Sequence, residues 1–206
     1  LKAGGNLLLL VDPDSKLPSA LSDYLGVSRY PGTLVDWTGY QGGTPHPAIA
    51  IVTQLEQHPL TSRLSSLLAF PWSSGLRLTQ PQVETVEPLK AAISTHKGVW
   101  NELAIDEEQL AFEEEKGELQ QTFALVAASH NSANGQKIVV VGDSHFVSDS
   151  AINNYANKQL ALNLFSWLTN QADLEAAEQQ HKDNYLQPSV WGRLLINWGF
   201  GLIFPL

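Results

Sequence analysis

The chain has 206 residues, room for one large or two small domains, and its 43% hydrophobic and 16% charged side chains predict a folded core. Its net charge of −9 arises wholly in residues 101–206, which hold fourteen acidic and five basic side chains against seven of each in residues 1–100. With no basic footprint to neutralise phosphates, a nucleic-acid role is excluded, and the absence of Cys excludes thiol nucleophiles, disulfides and thiolate metal sites.

Met is absent too, position 1 included, so the sequence reads as a fragment or a processed chain with no signal peptide remaining. Gly4-Gly5 precede Asn6–Val11, a continuous apolar run that ends at Asp12-Pro13-Asp14. Such a run suits a strand buried on both faces, closed by turn residues. Leu17, Leu21 and Leu25 fall on one helical face and Gly26 supplies a stop, so a short helix is predicted over residues 18–26. Thr33–Asp36 and Ala48–Val52 read as strands. Thr61 is placed to cap a helix over Leu64, Leu67 and Leu68, with Phe70-Pro71-Trp72 ending it. Leu76–Leu78 and Val83–Val86 read as short edge strands, limited by Pro81 and Pro88.

Residues 102–121 form an acidic excursion: Glu102 to Glu118 contain eight acids against Lys116. Phe123–Ala128 returns to the buried-strand pattern. About eight polar residues separate it from Lys137–Val141, too few for a helical crossover, so the two are predicted to be hairpin-linked or adjacent. Gly142-Asp143-Ser144 then stops the strand, and Leu160, Leu164, Trp167 and Leu168 mark one face of a following helix. Asp173–His181 reads as a polar helix or linker. Val190–Leu206 carries a single charge, Arg193, and two Trp; it reads either as a membrane entry or as a core or amphipathic helix. The expected architecture is α/β, a mostly parallel sheet with helices on both faces. Its domain spans 1–187, and 188–206 begin a C-terminal apolar helix.

Asp12 and Asp143 each follow a buried strand. If those strands are parallel neighbours, both carboxylates lie on the sheet edge where α/β ligands bind. They then serve either as an acid/base or metal pair or as caps of their turns. The six His show neither His-x-His nor His-x-x-x-His spacing, so no zinc site is predicted. No Gly-rich phosphate loop is present, and no cofactor is expected. Gly142-Asp143-Ser144 has the look of the first block of SGNH hydrolases, which would make Ser144 a nucleophile. It lies late in the chain, however, and only Glu178–His181 echoes the last block of those enzymes. Six Trp keep a carbohydrate-binding module as a third reading.

Taken together, Gly4-Gly5 with Asn6–Pro13, Leu25-Gly26-Val27, His58–Thr61, Phe112–Gly117, and Val141–Ser144 with Phe146, Asn157, Leu160, Asn163, Trp167 and Leu168 resemble the GldG-like proteins. These are auxiliary components of ABC-type transport systems, associated in some bacteria with gliding motility. The resemblance covers essentially the whole chain; Ala156 stands where the family usually has Gly. It implies a flavodoxin-like or class I glutamine-amidotransferase-like domain facing the periplasm. It also implies anchorage to the cell membrane through the C-terminal helix, and permease or ATPase subunits or another membrane protein as partners. The amidotransferase-like fold normally uses a Cys nucleophile, which this chain lacks, so no catalytic residue is expected. The leading expectation is a non-enzymatic accessory or binding domain with Asp12, Asp143, Ser144, His145 and Asn157 as candidate binding residues. The acidic stretch Glu102–Glu118 is a further contact surface.

Overall fold

In the strand Lys137–Val141, successive side chains enter different cores. Val139 and Val141 pack in one apolar cluster with Leu160, Leu164 and Leu168, while Ile138 and Val140 pack in another with Val11, Leu25 and Val27. This is the two-residue period of a β-strand with an apolar layer on each side. The computed structural model describes residues 1, 4–64, 67–105 and 110–171. All lie in one compact unit, Leu1–Ala172. The Asp173–His181 and Val190–Leu206 segments lie outside the described residues. Among those described, no helix is long and apolar enough to cross a membrane.

In chain order the elements are β1 (Leu7–Leu10), α1 (Ser19–Leu25), β2 (Val27–Arg29), β3 (Thr33–Val35), α2 (Trp37–Gln41), β4 (Ile49–Val52), β5 (Leu68–Pro71), β6 (Leu76–Leu78), β7 (Lys90–Ser94), β8 (Trp100–Glu102), β9 (Ala124–His130), β10 (Lys137–Val141) and α3 (Asn157–Thr169). The main sheet has six strands in the order β1-β10-β9-β6-β2, with β7 also paired to β9. Two small antiparallel pairs, β3–β8 and β4–β5, stand apart. Among the described strands only β1–β10 is parallel, in the register Leu10↔Val141; the other pairings are antiparallel.

This overturns the expected helix-flanked, mostly parallel, flavodoxin-like or amidotransferase-like sheet. Among the described residues the fold is mostly β, a curled mixed sheet with three α-helices. Double-sided burial has a different origin here. β9 and β10 form the predicted hairpin, paired from Lys137↔His130 to Val141↔Val126. They are covered on one side by α3 with the β4–β5 pair, and on the other by α1 and its neighbours. Two apolar coverings make an antiparallel strand read like a parallel one.

Local chemistry explains several elements. α1 ends at Gly26 in the left-handed region (φ 64°). Leu64, Leu67 and Leu68 do not take up the predicted helix. Instead Pro59–Thr61 make a single 3₁₀ turn, closed reciprocally by His58 and Thr61, and Leu68 opens β5. Leu68, Ala69 and Phe70 are all buried, so pairing with β4 wins over helical spacing. The last turn of α3 is held by Lys137, whose ammonium donates to the Trp167 carbonyl (2.7 Å) and to Asn170 Oδ1, and lies over the Trp167 ring. A cation there complements the helix dipole. Burial of Leu160 and Leu164 contributes roughly 1.5–3 kcal/mol each.

The acidic excursion is folded at its base. Glu118 accepts from the backbone amides of Leu103 (3.2 Å) and Glu113 (2.8 Å), and Glu102 accepts from Ala104 N–H (3.0 Å) and the Trp100 indole (3.1 Å). Glu102 and Glu118 are buried, so the two ends of the expected contact surface face inward, while Glu113–Glu115 remain toward solvent.

Candidate functional site

The parallel register of β1 and β10 sets Asp12 and Asp143 side by side just beyond the strand ends, with Val11 N–H donating to the Val141 carbonyl (2.8 Å). Ser74 clamps both ends. Its N–H donates to the Gly142 carbonyl (2.7 Å) and its hydroxyl donates to the Val11 carbonyl (3.3 Å). A Cβ at position 142 would lie 2.1 Å from the Ser74 carbonyl oxygen, so this approach requires glycine.

Around this edge Ser144 donates its N–H to Asp12 Oδ1 (2.7 Å) and its hydroxyl to Asp12 Oδ2 (2.6 Å). His145 donates its N–H to Asp143 Oδ1 (2.6 Å). The His145 Nδ1 lies 3.7 Å from both Asp12 Oδ1 and Asp143 Oδ1. The three residues differ sharply in setting: the His145 side chain is 50% exposed, Asp12 21% and Asp143 0%. Asp143 Oδ2 is buried with no hydrogen-bond partner. Burial pushes the Asp143 carboxyl up to about 8. The backbone amides of His145 and Phe146 oppose the shift, and the charge of Asp12 reinforces it.

This edge opens on a depression of about 410 Å³ lined by Asp12, Pro13, Asp14, Thr33, Trp72 and His145. Trp72 is half-exposed with φ 55°, an uncommon conformation for a non-glycine residue, and its ring sits 4.7 Å from that of His46. Two slightly larger depressions, about 500 and 540 Å³, lie beside Arg29 and His58, but neither gathers two carboxylates and an imidazole.

Of the five candidate residues, Asp12, Asp143, Ser144 and His145 therefore meet at one edge. Asn157 does not. Fully buried, it accepts from Ala69 N–H (3.1 Å) and donates to the carbonyls of Ala69 (2.8 Å) and Ala151 (3.1 Å), bracing α3 against β5. The Ser144 hydroxyl is committed to Asp12, and no histidine hydrogen-bonds to it among the described residues. Thr33 and Trp72, read from the sequence only as a strand start and a helix end, were not among the candidate binding residues. Trp72 follows Pro71 at the end of an unrecognised strand, and only the pairing of β4 with β5 brings it here.

No known family profile matches the chain. No curated protein matches it either. Among solved structures it is similar to one described as the mmIFT52 N-terminal domain, with 19% identity and a TM-score of 0.56, over 81% of this chain and 66% of that one. At that identity the likeness shows a shared fold alone.

Proposed function

We propose that the chain is a non-catalytic binding domain with its ligand seat at the β1–β10 edge, acting as the extracytoplasmic accessory component of an ABC-type transport system. One observation carries the binding reading. Two carboxylates, an imidazole and a hydroxyl from the turn after β1 and the loop after β10 converge beside an open depression with an exposed Trp72. Loop-borne polar groups held by paired strands beside a concave surface are the ordinary form of a binding site. The transport reading, with its membrane-anchored, periplasm-facing placement and its permease and ATPase partners, is supported by the motif resemblance to GldG-like proteins. The test is crosslinking and affinity capture of the epitope-tagged chain from its host's membranes. An ABC permease and its ATPase are the expected recovered proteins; their absence under conditions that retain other membrane complexes overturns the assignment.

The exposed Trp72, with its ring beside His46 and the Asp12 and Asp14 carboxylates in the same depression, favours a second reading as a carbohydrate-binding module. Quenching or blue-shift of Trp emission by an oligosaccharide, lost in Trp72→Ala, would support it. A glycan array with no hits would overturn it.

A further inference from the structure

We propose that Asp12, Asp143 and His145 bind one divalent first-row cation, Zn²⁺ or Mn²⁺, with its open coordination positions facing the depression beside Trp72. The proposal deepens the binding-domain reading, resting on it for the site's role but not for its geometry. Each of the three residues offers one ligand atom, and these atoms all lie within 4.8 Å of one another. The imidazole nitrogen stands 3.7 Å from a carboxylate oxygen of each Asp. An ion bound at about 2.0–2.5 Å holds its ligands about 3–4 Å apart, so one cation can bridge all three after small side-chain shifts.

The independent pointer is the second Asp143 oxygen. It is buried, it accepts no hydrogen bond, and a second carboxylate stands nearby. A buried carboxylate ordinarily finds a donor or a counter-charge. Here the His145 amide serves Oδ1 and the Phe146 amide also favours the charged form, while Oδ2 stays without a partner. A dication would supply the missing partner and hold Asp143 ionised beside Asp12. The donor set argues for the kind of ion. Two carboxylates alone would suit Ca²⁺ or Mg²⁺, but the imidazole turns preference toward a first-row ion, and the lack of thiolates disfavours Cu(I). The second-layer contacts are already formed: Ser144 fixes both oxygens of Asp12, and the His145 amide fixes Asp143. The half-exposed imidazole provides an entry path.

The experiment uses the full 206-residue chain without a histidine tag, stripped with chelator and dialysed against Zn²⁺ or, separately, Mn²⁺. Bound metal is counted by mass spectrometry and affinity is measured by calorimetry. One ion per chain is expected, with affinity at least tenfold weaker in His145→Ala and in Asp143→Asn, and unchanged in Glu113→Gln. Circular dichroism verifies folding, and His145→Ala, at an exposed side chain, keeps the test valid if Asp143→Asn misfolds. A folded wild-type chain with no stoichiometric ion, or equal affinity in His145→Ala, overturns the proposal. Metal binding by a chain that captures no permease would sink only the transport reading, and capture by a chain that binds no metal would sink only the cation site.

Discussion

Ser144 and Asp12, 132 positions apart, are joined twice: the Ser144 amide donates to one carboxylate oxygen at 2.7 Å and its hydroxyl to the other at 2.6 Å. The pair ties the loop after β10 to the turn after β1, so both loops are fixed at the mouth of the depression. It also occupies the hydroxyl that a hydrolase would need to have activated by a general base.

Ser144→Ala removes the hydroxyl bond to Asp12 and leaves the amide bond. A partly exposed hydrogen bond to a charged group contributes about 1–2 kcal/mol, so the urea midpoint should fall by that amount divided by the m-value, with m unchanged. A fluorophosphonate probe should leave both the wild type and Ser144→Ala unlabelled. Wild-type labelling that vanishes in the variant would establish a serine nucleophile and refute the binding-domain reading.

Asp143 gives the metal-free chain a defined pH dependence. Its carboxyl titrates near 8 in the folded state, because burial penalises the charged form, and near 4 when unfolded. Between those values the folded state holds the proton more tightly than the unfolded state. Its contribution is therefore fully present below pH 4 and is lost as pH rises toward 8. The slope within that window is up to about 1.4 kcal/mol per pH unit. Asp143→Asn mimics the protonated acid and should not show this term. Denaturation from pH 5 to 8 should show the wild type losing stability relative to the variant, and parallel curves would refute the assignment.

The opposite sign is expected at His58. Its Nδ1 accepts from the Leu60 amide at 3.1 Å and its ring lies 5.9 Å from that of Trp167. Burial lowers its pKa below the usual 6.5. The neutral ring is the one that can cap the Pro59–Thr61 turn, so this stability is present near neutral pH. It is lost as pH falls below about 6.5 and through the lowered folded value. His58→Ala should cost about 1 kcal/mol at pH 7. His58→Asn should keep most of the cap while removing the acid-side loss, which thermal melts at pH 7 and 5.5 would distinguish.

What the sequence made legible was local. The apolar runs of β1, β9 and β10, the Gly26 stop, the β9–β10 hairpin and the apolar face of α3 all follow from nearest-neighbour chemistry. The sheet's direction did not. Ile138–Val141 is uniformly apolar because two coverings bury it, and periodicity cannot say whether its neighbours run parallel or antiparallel. Leu67–Phe70 misled for a related reason, since an apolar cluster after a Pro-containing turn fits a helix or a strand equally, and pairing with Ile49–Val52 decided it. At the site, the meeting of Asp12 with Asp143 was foreseeable from strand-end grammar. His145, two residues beyond Asp143 in the same loop, stood among the candidates as well, but its approach to within 4.8 Å of both carboxylates follows from the β1–β10 pairing and from no spacing rule. Asn157, placed among the binding residues, proves to be a brace.

That brace supplies a sharp stability test. Asn157 serves the Ala69 amide and carbonyl together and also reaches the carbonyls of Ala151 (3.1 Å) and Phe146 (3.4 Å), all within the core. Asn157→Ala strands the Ala69 donor and acceptor where water does not reach, at a cost of about 2–4 kcal/mol. Asn157→Asp preserves the shape but aims a carboxylate at three carbonyl oxygens. It should be at least as destabilising at pH 7. The deficit should shrink at pH 4, where the new carboxyl takes up a proton and can donate to one carbonyl. Urea unfolding of both variants at the two pH values decides the matter. If Asn157→Ala lies within about 0.5 kcal/mol of the wild type, the range of an ordinary surface substitution, Asn157 is not the tie between α3 and β5.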